Sequence, residues 1–201
     1  MDNFSLLHFS FSLELYTWRK HIHLIMFSSR IKNIKGIFIL KYTHRYDTSN
    51  IYESSERDNC LKKAWIILSH YFCRKACQMN FRYWPGDYEL SQNPDYVSTT
   101  LGLKSLLQYI TKVSEIDHCM EEISVPVIAE TIQILLQENN TNIINLVSPW
   151  FHVELINTDG DTIFYSGDYG SDILMILTDY DIQQLTNLGL EMNSFIRLPE
   201  M

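Results

Sequence analysis

Three consecutive residues, Asp117, His118 and Cys119, place an acid, an imidazole and a thiol side by side in the sequence. A thiol activated by a histidine is a common enzyme nucleophile, so this triplet is the first candidate for catalysis. Neighbouring residues of a helix point about 100° apart, however, and a nucleophile and its base usually come from distant parts of a chain. We therefore expect no catalytic centre at this triplet.

His152 and Glu154 form a second pair of residues that could transfer protons. Residues two positions apart on a β-strand point to the same face, here opposite Val153 and Leu155. The sequence favours a solvent-facing polar pair on a half-buried strand, and we expect the protein not to be an enzyme. If it is one, His118 or His152 with nearby carboxylates would act.

Two stretches carry residue types that bind metals. His70, Cys73 and Cys77 fall on one stripe of a predicted helix, but seven residues of helix rise about 10 Å, too far for one zinc ion with ligands at about 2.1 to 2.3 Å. The run from Asn157 to Asp161 begins like a calcium loop, but it lacks the glycine needed at the sixth position and continues as a strand pattern. We expect no metal and no other cofactor.

The clearest elements lie in the C-terminal quarter of the chain. Two strand-like runs flank Asp159-Gly160, a residue pair typical of a hairpin turn that needs positive φ. The apolar run 173–177 predicts a strand buried on both faces. Thr178 then has the chemistry of a helix N-cap, and Gly189 stands where that helix should end.

Further upstream, the run 79–84 predicts a short strand. A helix capped by Ser98 or Thr99 is predicted to extend to Val113. A second helix is predicted to begin at Ser124, its cap, because the following proline is tolerated in a first helical turn.

Before residue 79 the sequence patterns that indicate secondary structure are weaker. Residues 36–40 look strand-like, 47–59 look like a loop, and 61–77 have helical spacing. The C-terminal tail, 192–198, is predicted to return as an edge strand. Together these elements predict an α+β fold in which two helices pack on a small, mainly antiparallel sheet with a C-terminal hairpin, strand and helix.

Charge divides the 201-residue chain near Met79. Residues 1–78 hold 12 Lys and Arg against 6 Asp and Glu, whereas residues 79–201 hold 4 against 18, so their net charges are +6 and −14. All five prolines and every valine lie after this boundary. We predict that 79–201 is an acidic globular α+β domain. We predict that 1–78 is a basic N-terminal extension that is poorly structured, or that is not part of the native protein because translation begins at Met79.

Composition also bounds the class of protein. No apolar run reaches the roughly 18 residues of a membrane span, and the first 30 residues lack an export pattern. Four unevenly spaced cysteines do not indicate a disulfide framework, so we expect a cytoplasmic protein. The phosphate loops GxGxxG and GxxxxGK are absent from the sequence, and residues 79–201 are too acidic to bind nucleic acid directly. The oligomeric state stays open.

Acidic residues beside tyrosines favour a surface that binds a cationic protein, because opposite potentials steer association and aromatic rings supply contact area. The leading hypothesis is a small acidic cytoplasmic binding protein that inhibits or neutralises a basic protein partner, such as a nuclease-type toxin. Toxin-immunity proteins share this size and charge, although no residue motif supports membership of a family. The predicted contact face consists of Asp159, Asp161, Tyr165, Asp168, Tyr169 and Asp172.

Two alternatives to this hypothesis stay open. One is the enzyme described above. The other is a structural or host-interaction protein that acts through its basic N-terminal extension, whose cations would contact nucleic acid or a membrane surface. A simpler explanation of the charge is an acidic surface that only keeps the protein soluble.

Overall fold

The computed structural model describes residues 42–49, 51, 53–84, 103–117, 120–136 and 147–199. These residues belong to one compact unit that comprises 41–201. The predicted strand at 36–40, the predicted caps Ser98 and Thr99, and the candidate catalytic residues His118 and Cys119 lie outside the described residues.

Eight strands of the described residues form one antiparallel sheet. They are β1 (His44–Tyr46), β2 (Gln78–Tyr83), β3 (Lys112–Asp117), β4 (Met120–Pro126), β5 (His152–Ile156), β6 (Thr162–Gly167), β7 (Asp172–Met175) and β8 (Phe195–Arg197). Their order across the sheet is β3-β4-β2-β5-β6-β7-β1-β8.

Helices accompany this sheet, which confirms the predicted α+β class. They are α1 (Ser54–Cys73), α2 (Ala129–Leu135) and α3 (Asp179–Asn187), and residues 103–106 are also helical. Short 3-10 turns occupy Leu107–Tyr109, Asp168–Gly170 and Met192–Ser194. Among the described helices, none has the length and the apolar character needed to cross a membrane.

The apolar core lies between the helices and one face of the sheet. The ring of Phe72 on α1 stacks on Phe164 of β6 with 5.4 Å between centroids, and Trp150 contacts Phe81 of β2 at 4.8 Å. The indole of Trp150 also donates a hydrogen bond of 3.0 Å to the carbonyl of Leu135, which attaches α2 to the same core. Large buried side chains from well-separated parts of the chain therefore share one cluster.

The predicted domain boundary between residues 78 and 79 is wrong. Strand β1 lies between β7 and β8, and α1 supplies Trp65, Leu68 and Phe72 to the core. The change in charge near Met79 is not a change of domain, because α1 is amphipathic and must bury its apolar stripe against the sheet. Residues 47–59 are also not a continuous loop, since α1 begins at Ser54.

Two predicted helices are displaced. The helix predicted to reach Val113 gives way to a 3-10 turn and then to β3, in which Val113 pairs with Ile123 of β4. Ser124, the predicted cap of the second helix, lies within β4 opposite Asn80, and α2 begins only at Ala129. From Glu122 to Val125 polar and apolar residues alternate with the period of a strand, and Pro126 ends that strand instead of starting a helix.

The C-terminal predictions are confirmed. Strands β5 and β6 pair as a hairpin, and Gly160 in its turn has a φ of 85°. Thr178 Oγ1 accepts the amide proton of Asp181, whose carboxylate accepts from the Thr178 amide in return. Gly189 has a φ of 92° and ends α3, with the next amide bonded back to the carbonyl of Leu185 as in a Schellman motif. The tail forms the predicted edge strand β8.

Candidate functional site

The face of the sheet opposite α1 is polar at its centre. Alternate residues of β2, β4 and β5 point to this face, and the register places Arg82 of β2 between Glu122 of β4 and His152 of β5. Asn80 precedes Arg82 by two residues on β2, so it points to the same face, and it lies between Ser124 and Glu154. Pairing of three strands therefore gathers polar residues that are far apart in the sequence.

These polar side chains form a charge network, here called the Arg82 cluster (Asn80, Arg82, Glu122, His152 and Glu154), in which Asn80, His152 and Glu154 are buried and Arg82 and Glu122 are partly buried. Arg82 Nε donates to Glu122 Oε2 at 2.6 Å, and Arg82 Nη2 donates to Glu154 Oε1 at 3.1 Å. His152 Nε2 lies 3.0 Å from the same Glu154 oxygen, and Asn80 donates to the other oxygen of Glu122 at 3.2 Å. One guanidinium thus joins two carboxylates, which is the pairing that makes buried charge tolerable.

The prediction for His152 and Glu154 is confirmed in one respect and wrong in another. Both point to one face of β5, as their spacing indicated. They are not solvent-facing, since they are only 6% and 7% exposed. Arg82 approaches them from β2, and the ring of Tyr165 on β6 stands edge-on to the imidazole at 4.8 Å. The pattern of one strand cannot reveal these neighbours, which the pairing of β5 with β2 and β6 places against the two side chains.

Arg82 and Glu122 were missed in the sequence because nothing local connects them with His152. The one available signal was the polar alternation at positions 78, 80 and 82 of β2, which matches that at 122 and 124 of β4. A histidine held against a carboxylate can keep or pass a proton, so the Arg82 cluster is a candidate for chemistry as well as for structure.

The predicted contact face is not brought together as one patch. Asp159 and Asp161 are exposed at the tip of the hairpin, where Asn157 Oδ1 accepts the amide protons of both at 3.0 and 2.9 Å. Asp168 and Asp172 lie beyond the other end of β6, about 20 Å away along the strand. The two pairs of carboxylates are therefore separate features of the surface.

The remaining predicted contact residues have internal roles. Tyr165 is half-buried against Tyr42 at 6.0 Å, and Tyr169 is buried with its ring against Phe151 at 5.6 Å. Tyr169 is thus not the exposed aromatic that was predicted. Asp168 accepts a hydrogen bond from Ser171, while Asp172 forms an ion pair with Arg45 at 3.5 Å.

A second buried carboxylate, Asp181, joins α1 to α3. It accepts a hydrogen bond of 2.6 Å from the Tyr71 hydroxyl, and it forms an ion pair with Lys75. Burial alone would raise the pKa of Asp181, but the hydrogen bonds from Lys75, Tyr71 and Thr178 outweigh it and lower the pKa to about 2. The partners of this carboxylate are Tyr71 on α1, Lys75 two residues beyond α1, and the Thr178 cap of α3, so its role is structural.

Within the described part of the chain, no group of three or more His, Cys, Asp or Glu side chains is placed to hold a metal ion. Comparison with protein-family models, with curated proteins and with solved structures found no match. Among the described residues, the candidate features for a function are the Arg82 cluster and the exposed carboxylates.

Proposed function

We propose that the protein is a small acidic binding protein that inhibits or neutralises a cationic protein partner. The observation that carries this proposal is the charge of the compact unit. Residues 41–201 hold 11 Lys and Arg against 22 Asp and Glu, a net charge of −11. The carboxylates exposed on its described surface include those of Glu115, Glu130, Asp159, Asp161, Asp179 and Glu191.

Several cations of the unit are engaged within it. Arg82 lies between the carboxylates of Glu122 and Glu154, Lys75 pairs with Asp181, and Arg45 pairs with Asp172. Arg82 and Lys75 offset carboxylates that are largely buried, Arg45 offsets a partly exposed one, and the other exposed carboxylates contribute to the potential of the surface. Such a potential raises the rate of encounter with a positively charged protein and disfavours anionic partners.

Affinity capture tests this proposal. The full chain is immobilised, cell extract is applied at about 50 mM salt, and retained proteins are released by raising the salt to about 500 mM, where surface charges are largely screened. We expect a basic protein to elute in this range and to bind again after purification. If the retained proteins do not elute as the salt rises, or if only acidic proteins are retained, the electrostatic role is contradicted.

A second candidate role is favoured by the contact between His152 and Glu154. In this alternative, His152 transfers a proton during a reaction and Glu154 orients its imidazole. A screen of the purified chain against ester, amide, glycoside and phosphoester substrates tests it. Turnover that disappears in His152→Gln but persists in His44→Gln would support the enzyme, whereas turnover unchanged in His152→Gln would exclude this residue.

The third alternative, action through the basic N-terminal extension, stays a prediction because residues 1–41 are outside the described part of the chain. Deletion of residues 1–40 leaves the compact unit whole. Loss of partner capture by that deletion variant would favour the extension over the acidic surface.

A further inference from the structure

A buried histidine, His44, lies at the last strand pairing of the described sheet. It belongs to β1, and it is only 7% exposed. Strand β8 forms the edge of the described sheet beside β1, and the register places Arg197 of β8 directly opposite His44. Opposite residues of an antiparallel pair point to the same face, with their β-carbons about 5 Å apart. An imidazole that gains a proton at this position therefore faces a guanidinium.

The neutral form of His44 has a hydrogen-bond partner inside the fold. Its Nδ1 atom lies 2.8 Å from Thr43 Oγ1. That oxygen accepts the amide proton of Leu177 at 2.8 Å, so a neutral Nδ1 can accept the proton of the Thr43 hydroxyl. The imidazole therefore needs no second proton to be satisfied in this position.

The charged groups that face the imidazole lie on two neighbouring elements, β8 and α3. Burial lowers the pKa of His44 below its ordinary value of 6.5, and Arg197 on β8 lowers this pKa further. Asp179 at the start of α3 acts in the opposite direction but does not outweigh them. From β7, the residue opposite His44 is the apolar Met175. Just below pH 6.5 the folded protein thus keeps His44 neutral more often than an exposed imidazole would be.

Separation of β8 from β1 would relieve this unfavourable environment. Arg197 lies on β8 and would leave with it, and the imidazole would lose the strand beside it. Asp179 belongs to α3 and would stay. Because β8 is only three residues long and lies at the edge of the described sheet, it can open locally without unfolding the other strands. The opened form binds a proton more readily, so protonation favours opening.

We propose that His44 is a pH-sensitive latch that holds β8 on β1 while its imidazole is neutral and releases β8 when the imidazole is protonated. The stability that the neutral imidazole gives to this pairing is present above about pH 6.5 and is lost as the pH falls below it. Release exposes backbone groups of β1 and its flanking residues to which another strand can bond. The latch does not depend on the proposed function.

Amide hydrogen exchange of the full chain, at about pH 7.5 and about pH 5.5, tests the latch. Two amides report on β8, because Leu198 donates to the Thr43 carbonyl at 2.9 Å and Asp47 donates to the Ser194 carbonyl at 2.8 Å. The Thr43 amide donates to the Met175 carbonyl at 3.0 Å and reports on the β7 side of β1. After correction for intrinsic exchange at each pH, protection of the two β8 reporters should fall at least about threefold at the lower pH. Protection of the Thr43 amide should not fall.

Three variants separate the latch from a general effect of acid. His44→Gln cannot take up a proton, so the change in protection should disappear. Arg197→Gln removes the facing charge while His44 stays buried, so the change should be reduced by about half or more. His70→Gln is the matched control, because His70 is exposed on α1, and it should keep the wild-type change. Thermal melting checks that each variant is folded, and the Arg197→Gln result decides if His44→Gln is not.

Three outcomes would overturn the latch. One is wild-type protection of the Leu198 and Asp47 amides that does not fall at the lower pH. Another is a fall that a folded His44→Gln or Arg197→Gln variant leaves unchanged. The third is an equal fall at the Thr43 amide, which would show that β1 separates from β7 as well. The capture experiment decides the proposed function separately in each case.

Discussion

The indole nitrogen of Trp65 donates a hydrogen bond of 2.9 Å to the hydroxyl of Ser166 inside the core. Trp65 lies on α1 and Ser166 on β6, so the bond joins the basic part of the sequence to the acidic part. Both side chains are buried, and an unpaired polar group at either position would be costly. The two oppositely charged parts of the chain therefore fold as one unit from residue 41 onward.

The first prediction concerns truncation at Met79. A fragment comprising 79–201 lacks β1 and α1 and exposes the side of the sheet that Phe72 covers. We expect it to be unfolded or aggregated, whereas a fragment comprising 41–201 should fold. Near-ultraviolet circular dichroism and the dispersion of amide resonances distinguish the two. A cooperative melting transition in 79–201 would contradict the role given to α1.

The second prediction compares two buried serines. Ser166→Ala should lower the free energy of unfolding by about 1 to 3 kcal/mol, because the Trp65 N–H loses its acceptor in a buried position. Ser69→Ala should raise it by about 1 kcal/mol, because the described residues give the buried Ser69 hydroxyl no hydrogen-bond partner and alanine favours the helix. Urea denaturation measures both. Destabilisation by Ser69→Ala would mean that its hydroxyl is bonded in solution.

The third prediction concerns the Arg82 cluster. Arg82→Met removes the cation shared by the buried Glu154 and the partly buried Glu122, so we expect a loss of about 3 kcal/mol in the free energy of unfolding. The triple variant with Glu122→Gln and Glu154→Gln removes that uncompensated charge and should recover most of the loss. Lys112→Met on the exposed edge strand is the control, with a change within about 0.5 kcal/mol. Equal effects of Arg82→Met and Lys112→Met would show that the cluster is hydrated.

The fourth prediction is a pH dependence that arises from Asp181. The pKa of this carboxyl is lowered to about 2 in the folded protein, below its ordinary value of 3.8, so its contribution to stability is present above about pH 5 and is lost as the pH falls towards 2. Asp181→Asn should cost on the order of 2 kcal/mol at pH 7 and much less at pH 2.5. Denaturation curves at both pH values provide the measurement, with Asp159→Asn as an exposed control. A cost that is equal at both pH values would exclude the ionised carboxylate as its source.

The fifth prediction separates backbone strain from steric contact at two glycines. Gly160 and Gly170 have nearly equal φ values of 85° and 87°. A β-carbon added at Gly160 meets no atom within 4 Å, whereas at Gly170 it would lie 2.8 Å from Val147 Cγ1. We expect Gly160→Ala to cost about 1 to 2 kcal/mol from strain alone and Gly170→Ala to cost clearly more. Thermal melting tests which variant loses more stability. A smaller loss of stability for Gly170→Ala would show that the Val147 side chain moves away freely.

Within the candidate site, the sequence placed His152 and Glu154 on one face of a strand, because that relation depends only on the alternation of β-structure. Their burial and their contact with Arg82 depend on the register of β2 against β4 and β5. The predicted contact residues do not lie together in one patch, because strand β6 separates them. Residues close together in the sequence, such as Asp161 and Asp168, are separated by the full length of β6.

The sequence by itself determined the α+β class, the hairpin, the Thr178 cap, the end of α3 at Gly189 and the edge strand of the tail. Caps and turns depend on residues within a few positions of one another, so their chemistry can be recognised locally. Only the tertiary structure decided that α1 belongs to the same unit as β2 to β8, that Ser124 lies in a strand, and that Arg82 is shared by two carboxylates. Those features arise from contacts between residues about 40 to 100 positions apart, where burial and strand pairing outweigh local preference.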